Sequence, residues 1–378
     1  MPQSVDKIRL TAARASTQDD SIAISDADIQ EFLELVNLGF ERSLTQSEAP
    51  SCQQYQVGPH GIRLRYAHAS LERYFGRALG HLHSNGASAP DLTIHIWESP
   101  TAELPLLLSG FIDLLGTHWW RYGDSRGELV HYSGGRLRAA FYPYPNRLSV
   151  LDLDTNTGYL WVEDAQELPY HEIGSSCKVI LHWWLAQQQI QLVHAGAVGT
   201  EAGGVLIAGP GGSGKSTTCL TCLGSPLGYA SDDYSLVALS PTPTVYSLYN
   251  TAKLKGPEDI ARFPHLKEHI SNRENLDTEK ATLFVHEVAP QKVMPQFPLK
   301  ALLIPTVTGK PDTTYQPLSP GKALMSLSIS TIFQLPGAHK NALGFMAAVA
   351  RSVPCYRLNL GTRLAEIPDV IAEIIEAS

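Results

Sequence analysis

Apolar and polar positions alternate along the chain in two different ways, and the pattern changes near residue 190. Before that point, period-two alternation predicts short, half-exposed strands, at residues 61–66, 92–97, 129–133, 136–142, 147–153 and 158–162. Apolar stripes with helical spacing predict helices, at residues 27–40, 71–82 and 172–189. With Gly134 and Gly135 as a hairpin turn, the region is predicted to be an α+β fold around a mostly antiparallel sheet.

After residue 190 a second series of strands is indicated, of which residues 204–208 form a wholly apolar one. They are predicted at residues 190–198, 204–208, 228–233, 234–239, 244–249, 299–305 and 354–360, with helices at 216–223, 320–334, 341–353 and 364–377. This mixture is typical of an α/β domain. All six tryptophans lie at or before Trp184, which indicates a separate core in the first half. We therefore predict domains at residues 1–189 and 190–378, with residues 1 to about 26 forming a loose arm or an edge strand at residues 7–12.

Composition excludes several classes of function. Of the 378 residues, 43% are hydrophobic and 17% are charged, which is sufficient for a globular core. A net charge of −8 implies no broad basic face, so neither nucleic acid nor an anionic membrane is expected as a partner. The first residues lack an apolar signal core, and no apolar run approaches the length of a membrane span. We expect a soluble, cytoplasmic protein.

One stretch carries a specific chemistry. Residues 209–216 fit G-x-x-x-x-G-K-[ST] at every fixed position, between a predicted strand and a predicted helix. Glycines allow a tight turn that points backbone N–H groups into one hollow, where the helix N-terminus adds partial positive charge. We predict that Lys215 reaches the outer phosphates of a nucleotide and that Ser216 offers its hydroxyl to Mg²⁺. The predicted nucleotide-binding residues are Gly209, Pro210, Gly211, Gly212, Ser213, Gly214, Lys215, Ser216 and Thr217.

Two adjacent carboxylates follow this loop. Asp232 and Asp233 lie 17 and 18 residues after Lys215, a gap that one helix and one strand fill. Carboxylates at the end of that strand would lie beside the loop, at the edge where open α/β sheets bind ligands. One of them could hold Mg²⁺, and the other could accept a proton from an attacking hydroxyl.

Several other residues could take part in the chemistry, but each also has an ordinary structural interpretation. His194 falls on a predicted strand, where a histidine is more often simply packed. Lys253 and Lys255 are read as surface charges, unless the strand face they share points at the loop, where they would offset phosphate charge. Cys219 and Cys222 have the spacing of a redox or zinc pair, but no second pair stands near them, so we expect two buried helix cysteines.

Together these residues resemble the catalytic core of HPr kinase/phosphorylase, which is related to that of ATP-dependent phosphoenolpyruvate carboxykinases. The likeness lies in the order of a strand histidine in residues 193–196, the strand and loop of 204–216 and the acid pair of 230–233. The resemblance implies a P-loop kinase core with a mixed sheet, the cofactors ATP and Mg²⁺, and homo-oligomeric assembly. It implies that Asp232 is the acid/base on a serine hydroxyl, while His194, Lys215, Ser216 and Asp233 surround the phosphates and metal.

The chain also departs from that family. Thr217 stands where HPr kinases usually have an acidic residue, and we find no arginine-bearing C-terminal signature of their phosphorolysis activity. The chain more nearly resembles HPr-kinase-like proteins encoded beside peptide-modification genes, including lasso-peptide clusters, which have an N-terminal extension and a stretch like residues 250–255. That resemblance implies phosphorylation of a serine on a peptide, and it leaves phosphorolysis and HPr as acceptor open.

Three functions remain in competition. The first is a Mg²⁺-dependent ATP kinase acting on a hydroxyl, that of serine in a peptide or small protein. The second is the same chemistry on a small-molecule hydroxyl; a long open groove between the halves would favour a peptide, and a small closed cavity a metabolite. The third is a nucleotide-binding sensor or assembly module without transfer activity, in which the N-terminal half recognises a partner.

Overall fold

The computed structural model describes residues 25–86, 88–337 and 342–378. The predicted edge strand at residues 7–12 and residues 1–24 of the predicted arm lie outside these ranges. Within them, none of the helices combines the length and the apolar character that crossing a bilayer requires.

The first half contains one six-stranded mixed sheet. Its strands are β1 (Ser51–Val57), β2 (His60–Tyr66), β3 (Leu92–Glu98), β4 (Leu137–Tyr142), β5 (Arg147–Asp152) and β6 (Thr157–Val162). They lie in the order β1-β2-β3-β6-β5-β4. The prediction of a mostly antiparallel sheet holds only toward the edges, because the central strand β3 runs parallel to both of its neighbours. Long crossovers make this possible, since parallel strands cannot be joined by a tight turn.

Helices cover both faces of this sheet. They are α1 (Asp26–Gln46), α2 (Glu72–Phe75), α3 (Leu106–Tyr122), α4 (Tyr170–Ile173) and α5 (Lys178–Gln187). On one face, Phe40 of α1 and Ile112 of α3 share a buried cluster with Trp97 and Trp161 of the sheet. On the other face, Trp184 of α5 is buried in the second cluster that the sheet contributes to.

The second half contains a nine-stranded mixed sheet and a separate two-stranded one. The strands of this half are β7 (Ile190–Val193), β8 (Ala195–Thr200), β9 (Gly203–Ala208), β10 (Gly228–Ser231), β11 (Ser235–Ala238), β12 (Thr244–Ser247), β13 (Thr251–Leu254), β14 (Ala281–Phe284), β15 (Gln296–Val307), β16 (Thr314–Pro317) and β17 (Cys355–Leu360). The main order is β10-β8-β9-β15-β12-β11-β7, with β17 joining β15 and β16 joining β17, while β13 pairs with β14. β15 runs parallel to both β9 and β17, and the other strand pairs among the described residues of this half are antiparallel.

Six helices accompany these strands. They are α6 (Lys215–Cys222), α7 (Gly256–Arg262), α8 (Val285–Val288), α9 (Pro320–Ile332), α10 (Ala342–Ser352) and α11 (Ile367–Ala377), counted over the described ranges. The molecule is therefore a mixed α/β fold with both parallel and antiparallel strand pairs. The predicted strand, glycine loop and helix around residues 209–214 are present as β9, loop and α6.

Several local predictions in the first half are wrong. The predicted strand at residues 129–133 is a short 3₁₀ helix, Val130–Tyr132, so Gly134 and Gly135 do not join two strands of a hairpin. Helix α3 was not predicted. The predicted helix at residues 71–82 is a series of short turns around α2 rather than one helix.

Tertiary hydrogen bonds break the predicted helix at residues 172–189 into α4 and α5. The carbonyl of Gly174 accepts a bond from the Thr251 hydroxyl at 2.7 Å, and that of Ser176 accepts one from the Tyr249 hydroxyl at 2.8 Å. Cys177 between the two helices has a left-handed φ of 54°. These carbonyls therefore bond to distant side chains, which the sequence around them does not reveal.

The two sheets fall on the two sides of residue 190, yet they share a core. One buried cluster contains Ile94 and Trp184 from the first half and Leu192, Leu302 and Met346 from the second. The division into domains at residues 1–189 and 190–378 stays a prediction.

Candidate functional site

Strand register brings the three predicted parts of the site to one edge of the larger sheet. Ala195 of β8 pairs with Ala208 of β9, and Ala197 pairs with Ser231 of β10, both antiparallel. His194, the glycine loop and Asp232 therefore leave the sheet at the same edge. The predicted strand at residues 190–198 is interrupted at His194, and its two parts, β7 and β8, are not neighbours in the sheet.

Helix α6 lies directly against β8 because Gly196 has no side chain. A Cβ at this position would stand 2.5 Å from Cys219 Sγ and 3.2 Å from the carbonyl oxygen of Asp232. Cys219 and Cys222 are free and buried, as expected for packed helix cysteines. The small residue thus sets the distance between α6 and the acid pair.

The glycine loop has the backbone that the motif requires. Gly212 and Gly214 have left-handed φ values of 82° and 102°. A Cβ at Gly211 or Gly212 would meet nothing within 4 Å, so this side of the loop borders open space, whereas one at Gly214 would collide with Leu360. The loop therefore forms a cradle with an open inner face.

Lys215 is bound to its own loop. Its ammonium donates to the carbonyl of Gly209 at 2.7 Å and to that of Pro210 at 3.3 Å, and the side chain is buried. Burial lowers its pKa, although the carboxylates of Asp232 and Asp233 act in the opposite direction. An anion entering the loop would offer this buried cation a stronger partner than two carbonyls.

Asp233 is held between two cationic or hydrogen-bonding groups. One carboxylate oxygen lies 2.7 Å from His194 Nε2, and the other accepts a bond from Lys253 Nζ at 2.5 Å. Burial raises the pKa of Asp233, but the Lys253 ammonium and the His194 ring more than offset it, so the pKa lies well below its ordinary value. The backbone N–H of His194 in turn donates to the hydroxyl of Thr331 at 3.0 Å.

The pKa of Asp232 is shifted in the opposite direction. One of its oxygens accepts the backbone N–H of Lys253 at 2.8 Å, and the other, Oδ1, is buried without a hydrogen-bond partner among the described residues. Burial and the neighbouring Asp233 carboxylate raise its pKa to about 6, against the opposing influence of Ser216 and Lys253. Two adjacent carboxylates thus have pKa values pushed apart, which is a property of acid–base sites.

Two cavities meet at this cluster. The loop cavity, of about 310 Å³, is bordered by the glycine loop, Lys215, Ser216 and the acid pair. The helix cavity, of about 680 Å³, extends from the cluster along α9 and is bordered on the far side by α4 and α5. Asp232 faces only the loop cavity, whereas the residues that border both are His194, Gly211, Asp233, Lys253 and Lys280.

Most predicted site residues lie around the loop cavity, with some exceptions. Gly209 and Ser213 do not border it, and Pro210 borders the helix cavity. Lys253 lies in β13 and Lys255 beyond it at the start of α7, so they do not share a strand face, yet both border the loop cavity. The predicted residues that border the loop cavity are His194, Gly211, Gly212, Gly214, Lys215, Ser216, Thr217, Asp232, Asp233, Lys253 and Lys255.

Sequence reasoning missed the walls of the helix cavity. His171 and Lys178 come from the first half, and Met325, Ile329 and Phe333 come from α9 and the residue after it. The one available signal was the spacing of the last three along a predicted helix. Among the described residues, no group of three or more His, Cys, Asp or Glu side chains is arranged to hold a metal by itself.

Comparisons with known proteins add little. No family model and no curated protein matches the chain. Among solved structures, the Hpr(Ser) kinase/phosphatase from Coxiella burnetii aligns with 48% of this chain and 95% of its own, at 13% sequence identity and a TM-score of 0.29. At that TM-score the similarity carries no argument, and the function has to be inferred from the geometry of the site.

Proposed function

We propose that the protein transfers the γ-phosphoryl group of ATP to a hydroxyl, that of serine in a peptide or small protein, with Mg²⁺ as cofactor. The observation that supports this most is the junction of the two cavities. The glycine loop and Lys215 border one, a solvent-exposed helix borders the other, and His194, Asp233 and Lys253 lie between them. A phosphoryl group passing from a nucleotide in the loop cavity to a hydroxyl in the helix cavity would cross this cluster.

Each residue then has a role in the transfer. The acceptor oxygen attacks the γ-phosphorus, the bond to the β–γ bridging oxygen breaks, ADP leaves, and the hydroxyl proton passes to a carboxylate. We assign the proton to Asp232, because its Oδ1 has no hydrogen-bond partner among the described residues and its pKa of about 6 is close to neutral pH. Since Asp232 borders only the loop cavity, the acceptor hydroxyl would have to enter the cluster from the helix cavity to reach it. Lys215 offsets charge on the outer phosphates, and His194 and Lys253 keep Asp233 in place.

The loop cavity fits Mg²⁺ by its chemistry. Ser216 and Asp232 border it, and small hard cations prefer hydroxyl and carboxylate oxygens as ligands, with few protein groups and several waters. We propose Ser216 and Asp233 as the residues that hold the ion, Asp233 through water because both of its oxygens already accept bonds. When bound, Mg²⁺ would neutralise charge on the β- and γ-phosphates.

Labelled ATP provides the test. The protein would be incubated with γ-labelled ATP, Mg²⁺ and pools of serine-containing peptides, small proteins and hydroxyl metabolites, and the phosphorylated atom would be mapped by mass spectrometry. Transfer should fall at least about 100-fold in Asp232→Asn, the scale of general-base catalysis. Asp277→Asn, a change of an exposed carboxylate, should be unaffected.

Binding measurements distinguish the alternatives. Asp232→Asn should bind Mg²⁺·ATP as the wild type does; loss of Mg²⁺-dependent binding would reassign Asp232 to the metal. Label appearing only in a metabolite pool would favour the small-molecule kinase. Nucleotide binding with no transfer to any pool would contradict the proposal and favour the sensor or assembly module.

A further inference from the structure

Helix α9 exposes an apolar ridge beside the candidate site. Met325, Ile329 and Phe333 stand four residues apart, with exposed fractions of 62%, 56% and 69%. On the opposite face of α9, Ala323, Leu327 and Thr331 are fully buried, and the first two are apolar. A helix with apolar side chains on both faces normally has both faces covered, so the exposed one suits a binding partner.

The ridge is continuous with the site. All three of its side chains border the helix cavity, which opens onto His194 and Asp233. At about 1.5 Å rise per residue the ridge is about 12 Å long, which matches about four residues of an extended chain at about 3.3 Å each. A flexible segment could lie along the ridge and still present one hydroxyl to the cluster.

The cavity border is positively charged, in a protein of net charge −8. Lys178, Lys253 and Lys280 border it, and Asp233 is the one carboxylate among the described lining residues. Lys253 is matched by Asp233. Lys178 also lies close enough to Glu172 to help hold the pKa of that carboxyl below its ordinary value, against burial, which raises it. The remaining charge, above all that of the exposed Lys280, would attract an anionic group.

We propose that the helix cavity is the acceptor site for an extended peptide that carries a large apolar side chain and, close to the phosphorylated residue, a carboxylate. The apolar side chain packs on Ile329 and its two neighbours in the ridge, and the carboxylate faces Lys178 and Lys280. This inference rests on the proposed phosphotransfer. It adds the sequence preference of the acceptor, which the phosphotransfer itself does not specify.

A positional-scanning peptide library tests the preference directly. Every peptide would contain one fixed serine, and wild-type protein with γ-labelled ATP should select Leu, Ile, Met or Phe at one flanking position and Asp or Glu at another. With the best peptide, Ile329→Asp should raise the KM for peptide about 10- to 100-fold, as expected for losing one buried aliphatic contact, without changing the KM for ATP. Lys280→Gln should weaken the acidic preference most, and Lys178→Gln should weaken it less, because the Lys178 charge is partly matched by Glu172.

The matched control is Leu106→Asp, the same kind of change at a side chain that is 80% exposed and lies in the first half, outside the cavity border. It should leave both KM values unchanged. Peptide transfer with no apolar preference, and with an unchanged peptide KM in Ile329→Asp, would overturn the inference while leaving the proposed function intact. No transfer to any peptide would overturn the inference, and if the small-protein pool were unlabelled as well, the proposed function would be overturned too. If Ile329→Asp dissociated an oligomer without changing the peptide KM, the ridge would be an interface between copies of the chain.

Discussion

Replacing Asp232 by asparagine should remove activity and yet stabilise the folded protein at neutral pH. The pKa of this buried carboxyl rises from 3.8 to about 6 on folding, which is about 2 pKa units. At about 1.4 kcal/mol per unit, keeping Asp232 ionised at pH 7 costs on the order of 3 kcal/mol of unfolding free energy. The neutral amide avoids this cost and can still accept the backbone N–H of Lys253. A buried carboxylate with the proton-accepting role proposed for Asp232 is expected to lower stability in this way.

The effect of Asp232→Asn on the free energy of unfolding should depend on pH, with a sign that follows from the two pKa values. Well below pH 3.8 Asp232 is protonated in both the folded and unfolded states, and its titration contributes nothing to the free energy of unfolding. Between pH 3.8 and about 6 the unfolded chain releases the proton first, so the wild type loses stability as pH rises. The gain of Asp232→Asn over the wild type should therefore be only about 0.5 kcal/mol at pH 4 and reach about 3 kcal/mol at pH 7.

Urea unfolding from pH 4 to 8 measures this difference. Asp233→Asn provides the contrast, because it leaves the largely buried Lys253 without its carboxylate partner and should cost about 3 to 5 kcal/mol. If Asp232→Asn were less stable than the wild type at pH 7, or if its advantage did not grow with pH, the reasoning on the acid pair would be refuted.

Two further predictions concern residues that support the site. Gly196→Ala should lower the free energy of urea unfolding by about 1–3 kcal/mol, since the new Cβ would stand 2.5 Å from Cys219 Sγ. The control is Gly134→Ala, where a Cβ meets nothing within 4 Å, and it should change stability by less than about 0.5 kcal/mol. Equal effects of the two substitutions would contradict the packing argument. Thr331→Val should cost about 1–3 kcal/mol, because it leaves the buried N–H of His194 without its acceptor. Thr278→Val on the surface is its control, and a neutral Thr331→Val would show that this bond does not hold His194.

The parts of the site that are close in sequence were predictable. A strand, a glycine loop and a helix follow one another directly, and the spacing from Lys215 to Asp232 fixes one helix and one strand between them. Helix α3 could also have been predicted from the sequence, because the apolar residues Leu108, Phe111 and Leu115 have helical spacing; all three are buried. Its two glycines and the surrounding short strands obscured that signal.

The walls of the helix cavity were not predictable in the same way. Lys178 and Ile329 are far apart in the sequence, and only the packing of α5 and α9 brings them to one cavity. The pKa difference between Asp232 and Asp233 was equally hidden, since it depends on which of the two reaches His194 and the Lys253 side chain. Residue type predicted an acid pair, whereas tertiary structure makes its two members different.

The first half of the chain forms part of the helix cavity itself and is therefore more than a separate recognition module. His171 and Lys178 border the helix cavity, so residues 190–378 alone would lack one of its walls. Trp183 Nε1 donates to the carbonyl of Pro336 at 3.2 Å, just beyond α9, and the Tyr249 and Thr251 hydroxyls bond back to the segment between α4 and α5. A cut near residue 190 would expose this shared core and break these bonds. The two sheets are best regarded as separate in topology and joined at the proposed acceptor site.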